Sequence, residues 1–375
     1  MISFVLPTRD RPERLKRTLL RLGALDPKHL GAAEVIVVDN ASRERAILPA
    51  TLDNGLRVGL VQRPTNEGAA ARNAGVAATD PSSAWIVMLD DDSYPVDADF
   101  ARALASQPAD VAAVSADIHL PEHRQRESGG LPEVFIGCGV ALRRGVFLEL
   151  GGYDPAFNYY VEEYDLAARL LLAGHRVAFS SGFRVEHAKD ARHRDMNLIL
   201  ARLVRNNSWI AQRYAPDRRR LAELREVRRR YRAIAEKEDS IRGFAQGLRD
   251  ARRTLRAQAR RPMPPDVFDR FTGLTAARTA LAAAQARHPF RSAAIVDAGK
   301  NAWVVEEVLR EMGVLLTAYG QDAEVHIIGT MSPGPMLDAY AKRLAMRRGR
   351  GPRVLAPWVE AMPELTQRGG ALAAA

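Results

Sequence analysis

Three consecutive carboxylates, Asp90-Asp91-Asp92, follow the apolar run Trp85-Ile86-Val87-Met88-Leu89 with nothing between them. A continuous apolar run reads as a strand buried on both faces. Three adjacent anions repel one another and favour no regular element, but a hard divalent cation such as Mg²⁺ or Mn²⁺ neutralises them through oxygen ligands. The alternative is a solvated acidic turn. A second acidic group, Glu162-Glu163, opens the helical pattern that runs through Asp165-Leu166-Ala167-Ala168-Arg169 and ends at Gly174. Acids in a first helical turn complement the macrodipole. They also offer a general base for a hydroxyl nucleophile.

The elements that must position these groups are legible as alternating strands and helices. Ile2-Ser3-Phe4-Val5-Leu6 ends at Pro7-Thr8-Arg9-Asp10, and a helical pattern with Leu15, Leu19, Leu20 and Leu22 follows Pro12. Glu34-Val35-Ile36-Val37-Val38 ends at Asp39-Asn40-Ala41-Ser42. The segment from Arg63 through Asn66, Gly68 and Arg72 to Gly75 turns into an Ala-rich helix. Strands and helices alternating at this spacing predict a parallel βαβ sheet. Such sheets bind ligands beyond the carboxyl ends of their strands, where all of these polar clusters fall. That shared position favours a metal site over a solvated turn.

In this order the motifs resemble glycosyltransferase family 2, inverting enzymes with the GT-A nucleotide-diphospho-sugar fold. The resemblance rests on Pro-Thr-Arg, Asp-Asn-Ala-Ser, Asn-x-Gly, Ala-Arg-Asn-x-Gly and the Asp triplet. Gly137–Arg144, Gly151–Phe157, Tyr159–Arg169, His187 and Arg205-Asn206-Asn207 continue it, over roughly residues 1–215. It implies a nucleotide-sugar donor held by Pro7, Thr8, Arg9, Asp39, Asn66, Gly68, Arg72, Asp90 and Asp91. Chemistry requires a cation there, because the donor's diphosphate gains negative charge as the glycosidic bond breaks. Asp92 is expected as the direct ligand of Mn²⁺ or Mg²⁺, supported by Asp90, with Asp91 facing the ribose or a metal-bound water. Asp39 is expected to accept from a base N–H, and Arg72 to reach the base or phosphates. A lone His after a strand usually makes structural hydrogen bonds; the resemblance implies that His187 completes the metal shell. Lys189, Arg192 and Arg194 are expected to bind the leaving diphosphate, and His193 to be solvated. The family's base lies three positions before the helix Leu166, which selects Glu163 ahead of Glu162, although many relatives carry Asp there.

At 375 residues and 47% hydrophobic content the chain can bury a large core. The expected order is a GT-A domain over 1–215, a basic helical extension over 216–288 and a small Rossmann-like α/β domain over 289–375. The single cysteine, Cys138, excludes a disulfide framework and suits a reducing compartment. Charged residues interrupt the N-terminal apolar run and no stretch approaches a membrane span, so a cytoplasmic enzyme is expected.

The net charge of +10 is concentrated: residues 217–261 hold 16 Lys/Arg against 7 Asp/Glu. This segment reads as a helix with Leu221, Leu224, Val227, Tyr231 and Ile234 on one face. Packing on the catalytic domain competes with peripheral contact to an anionic inner-leaflet surface carrying lipid-linked acceptors. Nucleic-acid binding lacks any supporting motif. A second helical piece is expected from Val267 to about Ala286.

In the C-terminal segment, Asp297-Ala298-Gly299-Lys300-Asn301-Ala302 corresponds to a dinucleotide fingerprint with Asp in place of the first Gly. That charge opposes a pyrophosphate, and no acid at the tip of the second strand takes a ribose, which argues against an oxidoreductase. A degenerate module for packing, homo-oligomerisation or a nucleotide it does not oxidise is expected. The expected function is inverting, metal-assisted transfer from a nucleotide-sugar to a hydroxyl acceptor, in cell-surface polysaccharide or secondary-metabolite glycosylation. The alternative is a silent nucleotide-sugar-binding scaffold, which would need no base.

Overall fold

The computed structural model describes residues 1–189, 195–319, 321–347 and 351–359. Phe4, Val5 and Leu6 of β1 (Ile2–Thr8) are fully enclosed, which requires covering layers on both faces of the strand. Pro12 sets the start of α1 (Pro12–Gly23), whose Leu15, Leu19 and Leu22 are buried. After α2 (Pro27–Leu30), β2 (Ala33–Asn40) lies parallel to β1, and β3 (Arg57–Arg63) parallel to β2. The chain crosses through α3 (Ala71–Ala77) to β4 (Trp85–Met88), parallel to β1 on its other side. The register sets Thr8 beside Asp39, Asp39 beside Gln62 and Val5 beside Met88. The carboxyl ends of all four strands therefore open on one rim.

Beyond β4 the sheet becomes mixed. β5 (Ser93–Pro95), α4 (Phe100–Ala105), β6 (Val111–Leu120), β7 (Gln125–Arg126) and β8 (Val140–Arg143) follow in sequence. They are succeeded by α5 (Arg144–Glu149), α6 (Glu162–Leu172) and β9 (Arg176–His187). The order is β3-β2-β1-β4-β8-β6-β9-β5, with β7 paired to β6. β8 runs antiparallel between β4 and β6, and β9 pairs parallel with β6. Because β5 pairs antiparallel with β9, Ser93 faces His187. A histidine 95 positions down the chain is thereby delivered next to the Asp triplet.

The basic segment is two helices where the sequence reads as one. α7 (Met196–Tyr214) carries α8 (Asp217–Lys237) and α9 (Ile241–Thr254), and the chain breaks between the last two at Asp239, φ +47°. A Cβ at Gly243 would stand 2.1 Å from Asn197 O, and one at Gly247 2.6 Å from Ala201 O. Only glycine allows α9 so close to α7. The stripe Val227, Tyr231 and Ile234 packs with Leu200, Val204 and Phe244, whereas Leu221 stays exposed. The next helical piece is also two, α10 (Pro265–Thr272) and α11 (Leu274–Arg287), separated by Gly273 at φ +88°.

A second, parallel sheet has the order β11-β10-β12-β13. It comprises β10 (Ser292–Val296), β11 (Leu315–Thr317), β12 (Val325–Ile328) and β13 (Arg353–Leu355), with α12 (Ala302–Glu311) and α13 (Pro333–Met346). Its hydrophobic core is continuous with that of the first sheet, so packing does not stop at positions 215 and 288. Trp358 meets Phe179 edge-on, Arg126 pairs with Asp338 at 2.8 Å, and Arg270 with Glu133 at 2.5 Å. Among the described residues no helix is long and apolar enough to cross a membrane.

Candidate active site

The three adjacent acids have three different environments. Asp91 turns inward: its carboxylate accepts from Thr8 Oγ1 at 2.9 Å and Arg11 Nη1 at 2.5 Å, and its carbonyl from Thr18 Oγ1 at 2.8 Å. Burial, together with its acidic neighbours and against Arg11, pushes its carboxyl up to about 7. Asp92 is also enclosed, accepting from Arg11 Nη2 at 2.5 Å and Arg14 Nη1 at 2.9 Å, with His187 Nε2 at 3.3 Å. Burial opposes its charge, yet His187 and Arg11 hold the carboxyl far below its ordinary value. Asp90 is the open member: its side chain is 36% exposed, against 4% and 7% for the other two. It pairs with Arg72, which also donates to Leu89 O at 3.1 Å. Asp91, expected to face a ribose or a metal-bound water, has its carboxylate oxygens engaged by Thr8 at the end of β1 and Arg11 at the N-cap of α1. Asp92, the expected first ligand, shares its oxygens with two arginines.

His187 is oriented by a residue the sequence reading left out. Its Nδ1 lies 2.9 Å from Glu127 Oε2, and Lys189 donates to Glu127 Oε1 at 2.7 Å. The imidazole therefore presents Nε2 to Asp92, the arrangement by which a carboxylate fixes a metal-binding histidine. Burial disfavours a charged His187, but Cys138, Asp92 and Glu127 raise it well above its ordinary value. Ligand atoms of Asp90, Cys138 and His187 lie within 4.8 Å of one another. Burial pushes the Cys138 thiol up, so the oxygen and imidazole donors suit a hard divalent ion better than the sulfur does.

Glu162 and Glu163 begin α6 after an unusual loop. Asn158, Tyr160 and Val161 all have positive φ, 62°, 70° and 75°, an outlier conformation for a β-branched residue. Asn206 holds this loop, with Nδ2 at 3.1 Å from Phe157 O, 3.1 Å from Tyr159 O and 2.7 Å from Tyr160 O. Ala69 N donates to Asn158 O at 2.7 Å, and a Cβ on Gly68 would lie 2.1 Å from that same oxygen. Gly68 thus joins the donor-side turn to the loop before Glu162. Glu162 Oε2 and Glu163 Oε2 are buried without a hydrogen-bond partner among the described residues. Burial pushes both carboxyls up, Glu162 further through the charge of Glu163.

The remaining donor-side residues line the same rim. Asn66 Oδ1 accepts from Asn40 Nδ2 and Gly68 N, each at 3.0 Å, and from Tyr159 Oη at 3.3 Å. Asp39 is buried, its oxygens accepting from Ser42 N at 2.9 Å and Ala46 N at 3.1 Å, so it shapes the loop after β2. Arg9 is exposed and reaches Ala41 O at 3.3 Å, next to the half-buried Pro7. Beside Thr8 and Arg11 opens a cavity of ≈ 650 Å³ between α1 and the 43–53 loop. Arg192, His193 and Arg194 lie outside the described residues. Arg11, Arg14 and Glu127 escaped the sequence reading because their role depends on cross-strand neighbours; charge beside a strand end was their only signal.

The family model described as Glycosyl transferase family 2 matches residues 3–160. No curated protein matches the sequence. A structure of GalNAc-T7 with UDP, GalNAc and Mn²⁺ superposes with TM-score 0.50 at 16% identity, over 68% of this chain and 57% of that one. The chain therefore spans little more than half of that relative's length. A structure of S. aureus TarS 1–349 with UDP-GlcNAc gives TM-score 0.44 at 15% identity, over 86% of this chain and 94% of that one. The strand order, the rim of carboxylates and the family match agree. Over residues 3–160 the chain matches the glycosyl transferase family 2 model, and its fold is the GT-A fold that it shares with GalNAc-T7.

Proposed function

We propose that this chain is an inverting, divalent-metal-dependent glycosyltransferase that moves a sugar from a nucleotide-sugar to a hydroxyl acceptor. One observation carries the reading: buried Arg72 pairs with Asp90 on one side and acts electrostatically on Glu162 and Glu163 on the other. In this reading Arg72 stands between the metal-binding carboxylate and the buried acid pair. Asp90, Asp92 and His187 would hold the ion, which when bound supplies positive charge to the departing diphosphate.

Arg72 neutralises Asp90 and orients it. Glu127 fixes the His187 ring, and Arg11 and Arg14 fix Asp92. Glu163 takes the acceptor proton as the hydroxyl attacks the anomeric carbon. Its burial raises its basicity above that of an ordinary glutamate, the direction that favours a general base. The strained 158–161 loop keeps α6 at a fixed distance from the donor turn.

UDP and Mn²⁺, both present in the GalNAc-T7 structure, are the first probes. Thermal stabilisation should appear with one class of nucleotide-sugar and depend on added Mn²⁺. NMR of the product formed on a soluble acceptor should then show an inverted anomeric configuration. Stabilisation without any transfer to a panel of acceptors would favour a silent binder. Retained configuration would reject Glu163 as the base of a direct displacement.

A further inference from the structure

The degenerate fingerprint of the second sheet has a use that its own module does not explain. In a dinucleotide-binding turn the backbone between β10 and α12 would cradle a diphosphate. Here every polar side chain of that turn is committed elsewhere. Asp297 pairs with Arg343 of α13. Asn301 Nδ2 donates to Thr272 O at 3.0 Å, at the end of α10. Lys300 leaves its own module altogether. Its Nζ contacts the Tyr164 hydroxyl and sits 3.8 Å from the centroid of that ring.

Tyr164 directly follows Glu163 on α6. Lys300 is half-buried against Tyr164, and Glu163 is the charged group that acts on it. Burial, against the attraction of Glu163, pulls Lys300 down to about 7. The same attraction offsets the burial of Glu163. The other groups facing Glu163 are Glu162 on its own helix, Arg72 of α3, Tyr153 of the preceding loop and Tyr231 of α8. Lys300 is the cation in this set that Asp90 does not already claim.

We propose that Lys300 is a positioning residue of the transfer site, by which the C-terminal module holds the Glu163 carboxylate ready for the acceptor hydroxyl. This rests on the reading of Glu163 as the base. It gives the second sheet a role in transfer: its first turn carries a cation into the neighbouring domain instead of binding a nucleotide. Its backbone geometry serves that end. A Cβ on Gly299 would stand 2.8 Å from Thr330, and Met331 N donates to Lys300 O at 2.8 Å, so the turn is pressed against the segment that follows β12.

The test uses the full chain with Lys300→Met, which keeps length and apolar bulk, and Lys300→Gln as a second variant. Without the cation, the Glu163 carboxyl should rise further, by about 1–3 pH units, the usual effect of an opposite charge at close range. The acidic limb of kcat/KM should move to higher pH by that amount. At fixed pH below that limb kcat should fall at least tenfold while the donor KM stays within twofold. An unmoved acidic limb in both variants, with melting temperatures near the parent's, overturns the proposal. Carbon-13 titration of the glutamate carboxyls, with Glu163 identified by its loss in Glu163→Gln, reads the coupling without activity. If Glu163→Gln transfers normally but the Glu163 titration still moves in Lys300→Met, the base reading fails and the coupling stands. If the titration does not move, the coupling itself is wrong.

Discussion

Both sheets send a central parallel strand into a turn and then a helix, and the two turns have opposite fates. After β1, Thr8 and Arg11 point into the sheet's own rim and bind Asp91 and Asp92 across from β4. After β10, Asp297, Lys300 and Asn301 turn away from the rim, to α13, α6 and the end of α10. Parallel topology supplies a crevice in both places. What distinguishes the first, the candidate site, is a set of charges whose partners come from neighbouring elements of the same sheet. In the second sheet Asp297 is paired within its own module and Lys300 reaches across to α6, so the turn's charges are committed outside its crevice.

The sharpest way to break this contrast is at the base edge of the first sheet. Glu163→Gln should lower transfer by about 10²–10⁴, the usual worth of a general base. UDP affinity measured by calorimetry should stay within a few-fold of the parent. Near-parental transfer would move the role to Glu162 or Asp165.

The acidic triplet should divide by exposure. Asp90→Asn removes the open carboxylate and should weaken Mn²⁺-dependent UDP binding at least tenfold, equivalent to about 1.4 kcal/mol, with little change in melting temperature. Asp92→Asn should weaken it as well. It should also cost about 1–3 kcal/mol of stability, because Arg11 and Arg14 lose a charged partner. Equal Mn²⁺-dependent affinity in either variant and the parent would remove that residue from the metal site.

Gly68 tests the link between donor turn and base helix. Gly68→Ala places a methyl on Asn158 O and puts alanine at φ +64°. It should cost about 1–3 kcal/mol, measured by differential scanning calorimetry, and lower kcat through the displaced 158–161 loop. An unchanged melting temperature would show that the loop yields freely.

The smallest effect belongs to the second sheet. Asp297→Gly restores the first glycine of the fingerprint and removes a partly exposed ion pair, worth at most about 1 kcal/mol. Transfer should be unchanged, and titration calorimetry with NAD should show no binding. Measurable NAD affinity would mean that charge alone had silenced the turn.

The sequence by itself determined the alternation of strands and helices, the strand-end position of the Asp triplet and the family pattern. These are local or short-range properties: an apolar run, a turn residue and a helical period each show within some ten residues. The acidic pair at the start of α6 was legible for the same reason. Tertiary structure decided which acid of the triplet is open, since Asp90, Asp91 and Asp92 have the same chemistry and differ only in what β1, α1 and β9 bring to them. It alone placed Glu127 behind His187, because that contact needs both the β6–β7 pairing that seats Glu127 beside Ile118 and the β6–β9 pairing that brings His187 to it. It also divided the basic segment and the following helical piece, where a single residue at positive φ outweighs a continuous helical pattern. The reach of Lys300 to α6 joins residues 136 positions apart through the docking of two sheets, and no local pattern encodes such a contact.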